Sequence, residues 1–168
     1  MKSLFIVFLS FFIVAAIGCT KKGKESLEKY ENIITEEDIL EIVSYSGIIE
    51  RSINENTEKG VHLSFSTEGY LSRSSDAVSI FNIHIEYLFS DEKELVQDMK
   101  GRQTITGIGT HAWYNKASNG YNSLIFYLSD TNIIVEMGGH TEGSGHDPST
   151  FIEEEGLIQL SQLVESRL

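Results

Sequence analysis

Two hydrophobic patterns alternate along this chain, one with the period of a strand and one with that of a helix. Val61, Leu63 and Phe65 alternate with polar residues, which predicts a strand with one face in a core. Residues 77–89 repeat this alternation over a longer stretch and give the strongest strand pattern in the chain. The half-polar character of both stretches is typical of an antiparallel sheet with one solvated or lightly covered face.

Three further strands are predicted in the second half of the chain, after a loop over residues 101–109. They cover residues 110–117, 121–129 and 132–137, and the first two are joined by a turn at 118–120. The last two strands are nearly continuous in apolar residues. We therefore expect them to form a hairpin that is buried on both faces at the centre of the sheet.

Helical spacing appears in two places before the C-terminal segment. Thr35 and Asp38 fit the form of a capping box, and the apolar stripe that follows predicts a helix ending near Gly47. Residues 90–100 predict a second helix, with Leu95 among its inward-facing residues.

The last helix is predicted to begin near Ser149. Asp147 with Pro148 can cap it, or Thr150 can do so through a capping box. The order of elements predicts an α+β fold: a single domain in which an antiparallel β-sheet packs with N-terminal, middle and C-terminal helices.

The N-terminal segment has a composition of its own. A short basic start precedes the apolar run Leu4–Ile17, which is shorter than the roughly 20 residues of a membrane-spanning helix. Basic start, apolar run and small-residue exit together predict a secretory signal peptide over residues 1–18, removed from the mature protein.

The residues Ala16-Ile17-Gly18-Cys19 resemble the lipobox of bacterial lipoproteins, with Ala16 where that pattern usually has Leu. The resemblance implies a lipid on Cys19 and a place on the extracytoplasmic side of the cell envelope, periplasmic or at the cell surface. The alternatives are an ordinary signal peptide with a free thiol, or an uncleaved anchor. Residues 19–32 are then the lipidated cysteine and a flexible tether, and residues 33–168 the globular domain.

Charge is distributed unevenly between tether and domain. Lys21, Lys22, Lys24 and Lys29 make the tether basic, which suits an anionic membrane surface. From residue 30 onward, 8 Lys and Arg face 23 Asp and Glu. An acidic domain argues against nucleic acid as a partner, because phosphate binding needs a basic surface. Ordinary hydration of an acidic surface is the simpler explanation of this charge.

A glycine-rich segment, residues 138–148, collects several possible metal ligands. His140, Glu142, His146 and Asp147 have side chains that zinc or a similar ion accepts. Their spacing matches no defined metal motif, and Asp147 has the competing task of capping a helix. The alternative is a solvated connection made of turn-forming residues.

A second set of candidates lies on the predicted strands. His62, His84 and Glu86 occupy polar positions, where they form a ligand pair, a proton-sensitive cluster or simply an exposed sheet surface. Trp113, the only tryptophan, either lines a groove or packs at the rim of the core.

Residues 104–168 resemble small bacterial lipoproteins and extracytoplasmic sensor domains. The shared features are the turn Gly107-Ile108-Gly109, a strand with Ala112 and Trp113, a hairpin and a C-terminal helix. The resemblance implies a binding or sensing module and transfers no catalytic residue.

We therefore expect a non-enzymatic, membrane-anchored binding module that contacts another envelope protein or a small ligand. No cofactor is expected beyond the lipid on Cys19. The alternative is a metal-binding protein or metal-dependent hydrolase that uses the segment from His140 to His146.

Overall fold

The computed structural model describes residues 26–68, 78–118, 120–140 and 147–168. The predicted signal peptide, the segment that resembles a lipobox and Cys19 lie outside these residues. Seven strands make one sheet: β1 Ile49–Asn56, β2 Gly60–Thr67, β3 Ser79–Tyr87, β4 Gln103–Ile105, β5 His111–Ala117, β6 Tyr121–Leu128 and β7 Ile133–His140. The α-helices are α1 Glu36–Leu40, α2 Glu92–Asp98 and α3 Glu154–Arg167, and two short 3-10 helices cover Leu27–Tyr30 and Pro148–Thr150.

All strand pairings are antiparallel, in the order β1-β2-β3-β7-β6-β5-β4. The chain leaves β3 in the middle of the sheet and resumes at β4 on the far edge. It then returns through β5 and β6 until β7 pairs with β3. To reach β4 the chain has to pass the positions of β5, β6 and β7, and α2 makes this crossing on one face.

The main core lies on the other face of the sheet, under α1, α3 and the first 3-10 helix. Leu157, Leu160 and Val164 of α3 are buried there, as the apolar spacing of the C-terminal segment predicts. The inward residues of the sheet join them: Val61, Leu63, Phe65, Phe81, Ile83, Ile85, Leu124, Phe126, Ile133, Val135 and Met137.

A second, smaller cluster lies on the face that α2 crosses. Leu95 of α2 packs there with Trp113, Ile125 and Tyr127 of the strands beneath, and Leu88 closes one end. The sheet is therefore covered on both faces over β5, β6 and part of β7.

One domain of mixed α+β character is confirmed, although strands dominate it and the helices are few. The capping box at Thr35 is present: its hydroxyl accepts from the Asp38 N–H at 3.3 Å, and the Asp38 carboxylate accepts from the Thr35 N–H at 2.8 Å. The helix that it starts ends at Leu40, well before Gly47. None of the helices in the described ranges has the length and apolar character needed to cross a membrane.

Two strands went unpredicted, and both lie at edges of the sheet. β1 places Arg51 in an inward position, where its guanidinium donates to the Glu31 carbonyl at 3.1 Å and to Asn32 Oδ1 at 2.9 Å. A bulge between Ile53 and Glu55 interrupts its register. β4 has three residues, too few to show a period, so the predicted loop at 101–109 was wrong there.

The predicted boundaries also shift at three places. Leu27 and Tyr30 are buried in the core, so packing begins inside the segment predicted as tether. β7 continues through Gly138 to His140, so these residues belong to the sheet and not to a loop. Asp147 caps the 3-10 helix that starts at Pro148, while α3 itself begins only at Glu154.

Candidate functional site

The face crossed by α2 is divided into a covered half and an open half. The covered half is the part over β5 and β6 that packs against α2. We call the remainder the open half. It presents polar side chains from β1, β2, β3, β7 and the start of β6: Glu50, Asn54, Glu55, His62, Ser64, Asn82, His84, Glu86, Tyr121, Ser123, Glu136 and His140.

Two histidines form the centre of the open half. His62 on β2 is the direct cross-strand partner of His84 on β3, and the centroids of their rings are 5.6 Å apart with the planes tilted by 48°. Glu55 pairs with His62 from β1, and Glu136 pairs with His84 from β7. Four neighbouring strands thus contribute one row of acid, imidazole, imidazole and acid, because each residue faces its partner directly.

A cavity of about 220 Å³ opens beside this pair. Its lining comprises His62, Asn82, Ile83, His84, Tyr121, Ser123, Glu136, Met137 and Gly138. Gly138 explains part of the shape. A Cβ there would lie 2.6 Å from the Asn122 carbonyl oxygen and 2.6 Å from Cε1 of Tyr121, so the tyrosine ring folds across the glycine.

Hydrogen bonds between side chains hold the polar wall of this cavity. The Ser64 hydroxyl donates to Asn82 Oδ1 at 2.7 Å, and the Asn54 amide donates to the same Ser64 oxygen. The Asn82 amide donates in turn to Ser79 at 3.3 Å. Side chains from three strands therefore hold Asn82 in place next to the histidines.

The electrostatics of the open half favour the neutral forms of His62 and Tyr121. Burial lowers the pKa of His62 below its usual value, the neighbouring His84 lowers it further, and Glu55 opposes both. Burial raises the pKa of Tyr121, a hydrogen bond with Asn82 acts in the other direction, and Glu136 adds to the rise. At neutral pH the site thus offers a neutral imidazole and a phenol beside carboxylates.

The structure brings His62 and His84 together as their alternation predicts, and it places Glu86 on the same face. Glu86 lies opposite Gly60 and Ile134, at the margin toward α2, so it flanks the pair instead of contacting the cavity. Its role in ligand binding stays a prediction.

Trp113 lies in the covered half and not beside the histidines. It is 6% exposed, packs in the cluster under α2 and stacks on His111 with ring centroids 5.6 Å apart. Its remaining surface borders a groove of about 430 Å³ between α2 and β4. Both interpretations of this residue therefore hold in part: it is a core aromatic with one edge at a groove.

Of the four residues predicted as metal ligands, the described part of the chain contains His140 and Asp147. His140 ends β7 and meets the Tyr121 ring edge-on, with centroids 5.4 Å apart. The Asp147 carboxylate accepts from the Ser149 N–H at 2.9 Å, the capping task that competes with metal binding. Glu142 and His146 lie outside the described residues.

No three His, Cys, Asp or Glu side chains already converge on a common metal position within the ranges 26–68, 78–118, 120–140 and 147–168. This finding leaves the predicted ligand set of residues 140–147 untested, because half of it falls outside these ranges.

Sequence reasoning missed Tyr121, Ser123 and Glu136 as parts of a site. Glu136 falls in the hairpin expected to be buried on both faces, but it is exposed, so that expectation was wrong for this part of β7. The only indication that this part of β7 is exposed was the single carboxylate, Glu136, within an apolar run. Tyr121 carried none, because its position depends on a glycine one strand away.

No family model, curated protein or solved structure matches this chain. The geometry of the open half is therefore the basis of the binding role proposed below.

Proposed function

We propose that this chain is a lipid-anchored, non-enzymatic binding module of the bacterial cell envelope and that its binding site is the cavity beside His62 and His84. The observation that carries the binding role is the cavity itself, with its fixed polar wall on an otherwise regular sheet face. Concave sites with a few convergent polar groups are where small ligands bind.

The charge of the site selects the ligand class. Among described residues the cavity lining includes Glu136 and no Lys or Arg, and Glu55 and Glu86 lie on the same face. Carboxylates without a Lys or Arg among the described lining residues repel anions. We therefore propose a small neutral or cationic ligand, with hydroxyl or amine groups that meet the amide of Asn82, the imidazoles and the carboxylates.

The volume limits the size of that ligand. A cavity of about 220 Å³ is smaller than the roughly 300–1,000 Å³ of sites for drug-sized molecules. A monosaccharide, an amino acid or a short amine fits this limit better than a nucleotide or a lipid.

The anchor is the second part of the proposal, and it rests on the lipobox resemblance at Ala16–Cys19. Cys19→Ala should abolish incorporation of labelled palmitate and release the protein from the detergent phase of a Triton X-114 partition. Unchanged labelling in the variant would contradict lipidation at Cys19 and leave the cavity proposal unaffected.

The binding role is tested by ligand-observed NMR on the full chain in detergent, against a panel of monosaccharides, amino acids, polyamines and, for comparison, inorganic phosphate and dicarboxylates. We expect saturation transfer to at least one neutral or cationic compound and none to the anions. Ser123→Phe should abolish that transfer, because its ring fills the cavity from β6.

Asn115→Phe is the matched control. Asn115 is the cross-strand partner of Ser123 on β5 and lies on the same face, but it does not line the cavity. Binding lost in the Ser123 variant and kept in the Asn115 variant supports the site. Absence of binding across the panel, or equal binding by both variants, would overturn it.

A further inference from the structure

The row of acid, imidazole, imidazole and acid in the open half indicates a more specific ligand than the polar cavity alone does. His62 and His84 are direct partners on adjacent antiparallel strands, and partners of this kind have Cβ atoms about 4.5–5.5 Å apart. Their rings are 5.6 Å apart between centroids. This spacing allows one ring nitrogen of each imidazole to approach a common ion at the roughly 2.0–2.1 Å that zinc requires.

A carboxylate stands next to the two imidazoles on the β1 side. The Cβ position at Gly60 lies 3.3 Å from Glu55 Oε1 and 3.6 Å from His84 Nε2, so these two side chains approach each other over the glycine. Glu55 Oε1 accepts a hydrogen bond from the Thr57 hydroxyl at 3.2 Å. Glycine has no side chain to separate them. A change of side-chain rotamer at Glu55, which lies near the bulge at the edge of the sheet, brings its oxygen to the pair.

The chemistry of this set favours one class of ion. Imidazole suits zinc, copper, nickel and related ions, whereas magnesium and calcium prefer sites built from oxygen alone. Imidazole binds such ions through a ring nitrogen in its neutral form.

We propose that His62 and His84 bind a divalent transition-metal ion of the zinc class, with Glu55 as the carboxylate that turns in to complete the protein ligands. This inference rests on the proposed function, because it uses the same cavity and specifies its cation. Asn82, Tyr121 and Ser123 line the cavity together with both histidines, so a small molecule held there would lie beside the ion.

The carboxylate has to move because the three side chains do not converge without an ion. This accounts for the absence of a preformed three-ligand group in the described residues. It also predicts a site of moderate affinity, since the ordering of Glu55 opposes binding.

The test is calorimetric titration of the full chain, in detergent and without a polyhistidine tag, with Zn²⁺ and then with Mg²⁺. We expect one equivalent of Zn²⁺ to bind and Mg²⁺ to give no measurable heat. His62→Gln and His84→Gln should each weaken Zn²⁺ binding at least about tenfold. Glu55→Gln should weaken it less, because that ligand is recruited and not preplaced.

Two control variants separate this site from other histidines. His111→Gln lies in the covered half, and His140→Gln removes a residue of the predicted 140–147 metal set. Both should keep full Zn²⁺ affinity. Loss of binding in His140→Gln with full binding in His62→Gln would overturn the proposal in favour of the 138–148 segment.

A second measurement keeps the test independent of how the variants fold. In the unchanged protein with ¹⁵N-labelled imidazoles, Zn²⁺ should shift the ring-nitrogen resonances of two histidines, and assignment should identify His62 and His84. Shifts in other histidines, or none, would contradict the proposal. Panel compounds that bind without Zn²⁺ would then leave the binding function standing and remove the metal alone.

Discussion

The two halves of one sheet face have a similar strand pattern, but a helix covers one half and leaves the other open. Over β5 and β6 the outward positions hold Trp113, Ile125 and Tyr127, and α2 covers them. Over β2 and β3 the outward positions hold His62, Ser64, Asn82 and His84, among others, and no described helix covers them.

The cross-strand row at this level runs through both halves: Glu55, His62, His84, Glu136, Ile125, Trp113 and Thr104. It changes from titratable to apolar between β7 and β6. The helix therefore packs over the part of the face where the surface is apolar. Burial of the open-half row would cost the desolvation of two imidazoles and two carboxylates.

The covered half is nevertheless not closed to polar contacts. Glu92, in the first turn of α2, lies with Oε1 2.8 Å from Nε2 of His111 on β5. Both side chains are partly exposed, so the pair orients the helix more than it stabilises the fold. Glu92 and His111 of the covered half are thus paired with each other, whereas His62 and His84 of the open half are the residues proposed to bind a ligand.

The largest effect is expected from Trp113→Ala in the covered half. Trp113 is 6% exposed and packs against Leu95 of α2, so its removal leaves a cavity that the short helix cannot fill. We expect a loss of about 3–5 kcal/mol in the free energy of unfolding, measured by urea denaturation.

Val96→Ala on the same helix is the control for that change. Val96 is 40% exposed, so we expect a change within about 0.5 kcal/mol. Similar losses in the two variants would mean that α2 does not pack on the sheet as described, and the division into two halves would fail.

How far the sequence predicts this arrangement depends on how locally each feature is encoded. The alternation at Val61–Phe65 and Phe81–Tyr87 depends on neighbouring residues alone, so strands β2 and β3 and the side that His62 and His84 face are predictable. The capping box at Thr35 is equally local. The main core follows from the same periodicities.

Features that depend on pairing between distant strands were not predictable. The place of β7 beside β3, which aligns Glu136 with His84, follows from sheet order and register. β1 has Arg51 at an inward position and a bulge between Ile53 and Glu55, so apolar and polar residues do not alternate along it. Tyr121 joins the site because Gly138 leaves room for its ring, and that relation between two strands has no periodic signature.

The next effect is expected from Gly138→Ala in the open half. A Cβ at this position would lie 2.6 Å from the Asn122 carbonyl oxygen, a backbone atom that cannot turn away, and 2.6 Å from Tyr121 Cε1. We expect a loss of about 1–3 kcal/mol and displacement of the tyrosine ring, measured by denaturation and by the ring resonances of Tyr121.

Ser123→Ala tests whether the open half is sensitive to any substitution. Ser123 is the cross-strand partner of Gly138 and lines the same cavity. Removal of its hydroxyl should change stability by no more than about 0.5 kcal/mol. If both variants lose the same stability, the polar surface of the open half contributes to folding as the apolar surface of the covered half does.

The smallest effect is a pH dependence that belongs to the open half. Burial and the neighbouring His84 lower the pKa of His62 in the folded protein below its usual value of 6.5. The unfolded chain then binds the proton more readily. The titration of His62 therefore leaves the free energy of unfolding unchanged above about pH 6.5. It lowers that free energy as the pH falls from there through the pKa of His62 in the folded protein.

His62→Gln should remove that decrease, because glutamine does not titrate. The measurement is the free energy of unfolding at intervals from pH 8 to pH 5 for the natural chain, His62→Gln and His111→Gln. His111→Gln should keep the decrease in stability at low pH that His62 contributes, since His111 lies in the covered half of the face. A steeper fall in His62→Gln than in the natural chain would mean that Glu55 outweighs burial and His84. The open half would then favour the imidazolium and repel the cations proposed to bind there.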